Sequence, residues 1–202
     1  MEKKTVDRKA PVHHDIHDLL VERWSPRAFS GKEIEKDKLH KIFEAARWAP
    51  SAYNEQPWRF IIGFKGDETY KKIVDTLVEF NQIWTATAPI LVLNICRKTF
   101  SLNENPNPTA SYDLGQAVAH LSIEATAQGL HVHQMSGFEP DVANKLFKIP
   151  ENYKSTAVMA IGYIGDPSQL PENIAQMEHN KRERNTSKSF VFSKEFGNFA
   201  DM

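Results

Sequence analysis

The sequence predicts a single α+β or α/β domain in which helices cover both faces of a sheet. Three observations carry this. Stretches with apolar residues at helical spacing alternate with short apolar runs, the pattern of stacked helix and sheet layers. One run, Pro89 to Cys96 (PILVLNIC), is almost continuously apolar, as a strand covered on both faces must be. The 202 residues contain no repeat, low-complexity tract or linker, which suits one core.

Taken in order, residues 1–13 are polar and predict a flexible N-terminal arm, with one domain over 14–202. Ile16, Leu19 and Leu20 place a short amphipathic helix over His14 to Glu22. Pro26 bars continuous helix through Arg23 to Arg27. Lys36 to Trp48 returns to helical spacing, with Leu39, Ile42, Phe43 and Ala46 on one face. That pattern stops at Pro50, and a polar loop then feeds a strand over Trp58 to Gly63. Lys71 to Phe80 reads as one helix burying Ile73, Val74, Leu77 and Val78. Pro89 to Cys96 is the two-sided strand, and Arg97 to Pro108, rich in Asn and Pro, is a loop and a candidate lid. Ser111 to Gln128 is the longest helix, with Leu114, Ala117, Val118, Leu121 and Ala125 inward and Gly129 closing it. A strand at Leu130 to Gln134, a turn at Ser136-Gly137, a small helix at Val142 to Phe147 and a strand at Thr156 to Ile164 follow. The last predicted piece is an extended stretch, KRERNTSKSFVF, that ends in a short apolar strand.

Composition excludes several function classes. The net charge is −1, so no global field favours nucleic acid or an anionic membrane. Cys96 is the single cysteine; it rules out an intrachain disulfide, suits a reducing cytoplasm and reads as a buried small hydrophobe. The N-terminus has charge but no apolar block, unlike a secretory signal. No apolar run approaches the ~20 residues of a spanning helix.

Four segments carry candidate chemistry. Arg23, Ser25 and Arg27 put two guanidinium groups and a hydroxyl in one turn, a donor set suited to phosphate; alone, it is equally a surface arginine pair. Arg182 and Arg184 would point the same way in an extended stretch and reach one anion; alone, they are a solvated basic tail. Ser51, Asn54 and Gln56 offer a hydroxyl and two amides to the edge of a flat heteroaromatic ring, or else form an Asx-turn after a helix. Trp58 reads as core. Gln134 to Gly137 (QMSG) lies at a strand end, where Gly137 would let the backbone approach a ligand or simply serve a turn. His13, His14 and His17 cluster, but no Glu or Cys stands at zincin spacing, so no metal is expected. There is no GxGxxG and no P-loop, and no Ser/His/Asp set is readable.

In this order, RWSPR, PSAYNEQPW, DLGQAVAHLSIEATAQGL, SGF and AIGYIGDP, followed by RER, resemble the FMN-dependent nitroreductase family over about residues 16–192. The resemblance implies a three-layer α/β/α fold with a mostly antiparallel central sheet, in an intertwined homodimer holding two FMN sites at its interface. Arg23, Ser25, Arg27, Arg182 and Arg184 would hold the phosphate and ribityl end, with Trp24 among the cofactor contacts. Pro50, Ser51, Asn54 and Gln56 would come from the other subunit. Gln134, Met135, Ser136 and Gly137 would lie along the ring, with a backbone N–H near N5. The tail from Lys188 to Phe199 would wrap the partner. The implied activity is ping-pong hydride transfer from NADH or NADPH through FMN N5 to a small oxidised acceptor such as a nitroaromatic or quinone. No side chain acts as catalytic acid or base, since the flavin carries the chemistry. Two alternatives stay open: a flavin-binding redox sensor or store, and a dehalogenase- or dehydrogenase-type relative.

Overall fold

The computed structural model describes residues 8–201. Its sheet has four strands, β1 (Trp58–Phe64), β2 (Ile90–Arg97), β3 (His131–Met135) and β4 (Tyr153–Gly162), in the order β1-β2-β4-β3. Every neighbouring pair is antiparallel, with β1 and β3 at the edges. The run expected to be covered on both faces is so: Ile90 and Val92 face one apolar cluster, Leu91 and Leu93 the other. Because strand side chains alternate faces, such a run requires a helical layer on each side.

One layer is α2 (Lys36–Arg47) with α5 (Ala110–Ala127). Leu39, Ile42 and Ala46 of α2 meet Leu114, Ala117, Val118, Leu121 and Ala125 of α5 above the sheet. The other layer holds α3 (Glu68–Asp75), α4 (Glu79–Thr85), α6 (Pro140–Leu146) and α7 (Glu172–Met177). Phe29, Ile73, Trp84 and Ile174 are fully buried there, each contributing about 1.5–3 kcal/mol by burial. The α5 terminus is a Schellman motif. Gly129 takes φ +72°, its N–H reaches Thr126 O at 3.0 Å, and Leu130 N reaches Ala125 O at 2.8 Å. That motif turns the chain straight into β3.

Four elements differ from expectation. The first helix, α1, is only Asp18–Glu22, because His17 is extended and its Nδ1 accepts from Leu19 N, capping the helix late. The helix expected over Lys71 to Phe80 is two helices, α3 and α4. Between them Thr76 O accepts from Glu139 N at 2.8 Å and Val78 N donates to Gly137 O at 3.1 Å, so pairing with 137–139 overrides helical periodicity. Helix α7 went unread because it has few apolar anchors. The apolar strand expected near the C-terminus is instead a hook, in which Phe192 bridges Phe199 and a 3-10 turn, Ser187–Ser189, precedes it.

Of the expected flexible arm, Ala10 is tied to α1, its N–H donating to Val21 O at 2.9 Å, and residues 1–7 fall outside the described residues. Among the described residues, no helix is long and apolar enough to cross a membrane, and no group of three or more His, Cys, Asp or Glu could hold a metal ion.

Candidate functional site

The RWSPR segment is laid across the edge strand β3 by two buried contacts. Trp24, 7% exposed, sets its ring edge-on to His131 at 6.0 Å, and Pro26 O accepts from His133 Nδ1 at 2.8 Å. Burial lowers the pKa of both imidazoles to about 4, helped by Arg23 beside His131 and Arg27 near His133; in His133 the hydrogen bond to Pro26 opposes the shift. Past the proline, Glu178 accepts from the main-chain N–H of Arg27 at 2.9 Å and of Ala28 at 3.3 Å.

This course of the chain sends Arg23 and Ser25 into a cleft of about 390 Å³, shared with Arg8, Lys181, Arg182 and Arg184. Glu183 is its one carboxylate. A wider cleft of about 710 Å³ shares Arg23, Arg182 and Arg184 and opens between the arm and the tail. Arg23 Nη1 lies 3.5 Å from Ser25 Oγ. Burial, then the neighbouring Arg184, lowers the Arg23 pKa; burial, then Arg23, Arg184 and Arg8, lowers that of Arg182. Guanidinium groups crowded in this way are relieved by a bound anion. Arg182 also has a structural duty. Its Nη1 donates to Arg8 O and to Val21 O at 3.1 Å, and its Nη2 to Arg23 O at 2.9 Å.

Not every residue expected here is brought to this cleft. Arg27 stands apart, its Nη1 3.7 Å from Glu178 Oε1 and its guanidinium 5.9 Å from the Phe80 ring centre, with Nε buried and unpartnered. The side chain of Trp24 is core, so only its main chain is available to a ligand. Met135 likewise points into the core beside Phe138, because β3 alternates and Met135 shares the face of His131 and His133. Gln134 is exposed, its Nε2 3.3 Å from Ser122 Oγ, and Ser136 is exposed at the strand end. Gly137 is explained by packing: a Cβ there would meet Asn81 Nδ2 at 2.6 Å and Val78 Cγ2 at 2.9 Å, so the close approach is that of α4.

The amide loop is built differently. Tyr53, Asn54 and Gln56 have φ of 51°, 56° and 48°, three non-glycine residues in the left-handed region within four positions. Such strain persists only where surroundings enforce it, and it concentrates at ligand sites. Ser51 Oγ accepts from Gln56 N at 3.0 Å, Gln56 Nε2 donates to Asn54 O at 3.0 Å, and Asp113 Oδ2 accepts from Ala52 N at 3.1 Å. The Ser51 hydroxyl thus closes the loop itself. Pro50, Tyr53 and Asn54 are exposed. The Glu55 carboxylate clamps Ser101 of the 97–108 loop through two 2.9 Å bonds, and Tyr53 meets Phe100 edge-on at 5.8 Å.

Within one protomer these two groups lie at opposite edges of the sheet. The amide loop enters β1 and the arginine cleft adjoins β3, three interstrand spacings or about 14 Å away. Sequence reasoning missed Arg8, an isolated arginine in a polar arm, and Glu178, which no local pattern flags.

The comparisons agree with this architecture. The model of the nitroreductase family matches residues 20–82 and 64–163. A solved structure described as an oxidoreductase containing FMN superposes with a TM-score of 0.88 at 34% identity, covering 96% of this chain and 99% of that one. A nitroreductase family protein from Clostridium difficile 630 superposes with a TM-score of 0.68 at 25% identity, over 88% of this chain and 97% of that one. A protein of Archaeoglobus fulgidus, provisionally named an NADH dehydrogenase/NAD(P)H nitroreductase, is 28% identical over 76% of this chain and 88% of its own length. With strand order, helical layers and family match in agreement, this chain is a member of the nitroreductase family.

Proposed function

We propose that the protein is an FMN-dependent oxidoreductase that works as a homodimer. The carrying observation is the convergence of Arg23, Arg182 and Arg184 with Ser25 on one cleft, a donor set that fits a phosphate dianion. The similar structure described as containing FMN supports the choice of phosphate ester. When bound, FMN supplies the redox chemistry, taking a hydride equivalent from NADH or NADPH and giving it to an oxidised acceptor such as a nitroaromatic or quinone.

The chain's own residues divide the remaining work. Arg23, Ser25 and Arg184 hold the phosphate. Arg182 positions them by tying the tail to the carbonyls of Val21 and Arg23. Arg27, set apart from that cluster with an unmatched Nε, faces the ring end, where a fixed cation favours added negative charge. The main chain of Gln134 to Gly137 lines the ring edge.

The partner supplies Pro50, Ser51, Asn54 and Gln56. Helix α5 has 18 residues and so spans about 27 Å. Asp113 in its first turn holds the amide loop, and its last turn leads to His131 beneath Trp24. Its solvent face carries Tyr112, Gly115, Ala119 and the half-buried Ile123, with no Asp, Glu, Lys or Arg on that line. Antiparallel packing of two such faces brings each loop to the partner's arginine cleft. The tail hook, with Phe190 and Phe196 64% and 95% exposed, is the segment that wraps the partner.

The test is the visible spectrum of the purified protein. A yellow protein bleached anaerobically by NADH or NADPH, and recoloured by a nitroarene or quinone, supports the reading. A colourless protein that does not take up added FMN sinks it.

A further inference from the structure

The family match begins at residue 20, so the arm carrying Arg8 lies outside it. The fold nevertheless seats that arm firmly. Ala10 N donates to Val21 O, the Arg8 carbonyl accepts from Arg182 Nη1, and Arg8 Nη1 donates to Asn180 O. The Arg8 guanidinium sits 5.0 Å from the centre of the Trp24 ring. Together these contacts fix the side chain at the rim of the cleft it lines with Arg23, Ser25, Arg182 and Arg184.

Two features are left over once the arm is tied down. Arg8 Nε is buried with no hydrogen-bond partner, and a buried donor of this kind marks the place of an acceptor. Meanwhile Arg182 spends N–H groups on the carbonyls of Arg8, Val21 and Arg23, which reduces what it can give a phosphate. The strap through Ala10 N and the Arg8 carbonyl is made by main chain, and the guanidinium's own contacts, to Asn180 O and the Trp24 ring, leave Nε unmatched.

We propose that Arg8 is a further phosphate-binding residue, delivered to the FMN phosphate by an N-terminal arm that closes over the cleft as a strap. This rests on the FMN reading above. The recognised chemistry is the phosphate monoester, so the flavin without it, riboflavin, is the natural control.

The experiment measures dissociation constants of FMN and riboflavin by flavin-fluorescence titration for the wild-type protein, R8Q and R8K. In R8Q the FMN constant should rise about 10- to 100-fold, the size of a lost charge-assisted hydrogen bond, while the riboflavin constant stays put. R8K, which keeps the charge and loses the fork, should fall between. Unchanged FMN affinity in R8Q overturns the proposal. So does an equal loss for both flavins, which would make Arg8 purely structural. Should R8Q fail to fold, R8K decides by the same criterion: an FMN-selective rise supports the proposal and no change overturns it. A wild-type protein that binds no FMN removes the cofactor reading itself, an outcome distinct from wild-type binding with an indifferent Arg8.

Discussion

Asp113, 2% exposed in the first turn of α5, accepts the main-chain N–H of Ala52 at 3.1 Å, and Thr109 Oγ1 lies 3.3 Å from the same oxygen. One buried carboxylate therefore fixes the strained amide loop to α5, the helix whose exposed face we propose meets a second copy. Asp113→Ala should lower stability by about 1–3 kcal/mol, through the buried amide left unmatched, and weaken FMN binding as the loop relaxes. Urea unfolding and a flavin titration check the two effects. Full stability in the variant would detach the loop from α5.

Glu178 joins the end of α7 to the arginine segment. It is 1% exposed, accepts from Arg27 N and Ala28 N, and lies 3.7 Å from Arg27 Nη1. Glu178→Ala should cost about 2–3 kcal/mol, because one buried and one partly buried N–H group and a partly buried cation lose their acceptor together. The denaturant midpoint should drop with an unchanged slope.

His131 and His133 predict a pH dependence with a definite sign. Each folded-state pKa is lowered to about 4 from an ordinary 6.5. Well above pH 6.5 both are neutral, folded or unfolded, and stability is full. As pH falls from 6.5 toward 4 the unfolded chain takes up protons that the folded chain refuses, so stability declines, by at most about 3 kcal/mol per histidine. Below 4 the loss from these two groups levels off. In His133→Gln the amide can still donate to Pro26 O, and the slope between pH 7 and 5 should flatten; an identical slope would assign it to other groups.

Gly137→Ala separates packing from ligand approach. Its Cβ would strike Asn81, whose Nδ2 donates to Gly137 O at 2.9 Å and whose Oδ1 accepts from Trp84 Nε1 at 3.0 Å. The cost should be about 1–3 kcal/mol without any ligand present, seen as a lower melting temperature of the FMN-free protein. A variant of normal stability that loses only FMN affinity would return Gly137 to the ligand.

Ala119 lies at the middle of the exposed α5 line. On the dimer reading, Ala119→Glu should convert a dimer to monomers, as two like charges are buried face to face, and should lose FMN at the same time because each proposed site draws on both chains. Light scattering after size exclusion reads the mass. A monomeric wild-type protein would contradict the homodimer reading directly.

The layered fold was legible because burial leaves a local trace. A strand as apolar as Pro89 to Cys96 has no solvent face, and the inward residues of α2 and α5 repeat at helical spacing; the structure buries that strand and these residues, save Phe43, which is partly buried against the core. The boundary between α3 and α4 left no such trace. It is set by hydrogen bonds from Glu139 N to Thr76 O and from Val78 N to Gly137 O, between segments about sixty residues apart in sequence, and periodicity is blind to them.

The candidate site divides along the same line. The sequence by itself determined the donor chemistry: arginines with a serine, then a hydroxyl-and-amide loop, in a family's order. Only tertiary structure decided where each group is spent. It gathers Arg8 with Arg23, Arg182 and Arg184, while Glu178 holds Arg27 away from them. It also sinks Trp24 and Met135 into the core and sets the amide loop at the far edge of the sheet. The physical reason is that residue type fixes what a side chain can bond, whereas its direction and neighbours depend on strand alternation and on contacts between segments remote in the chain.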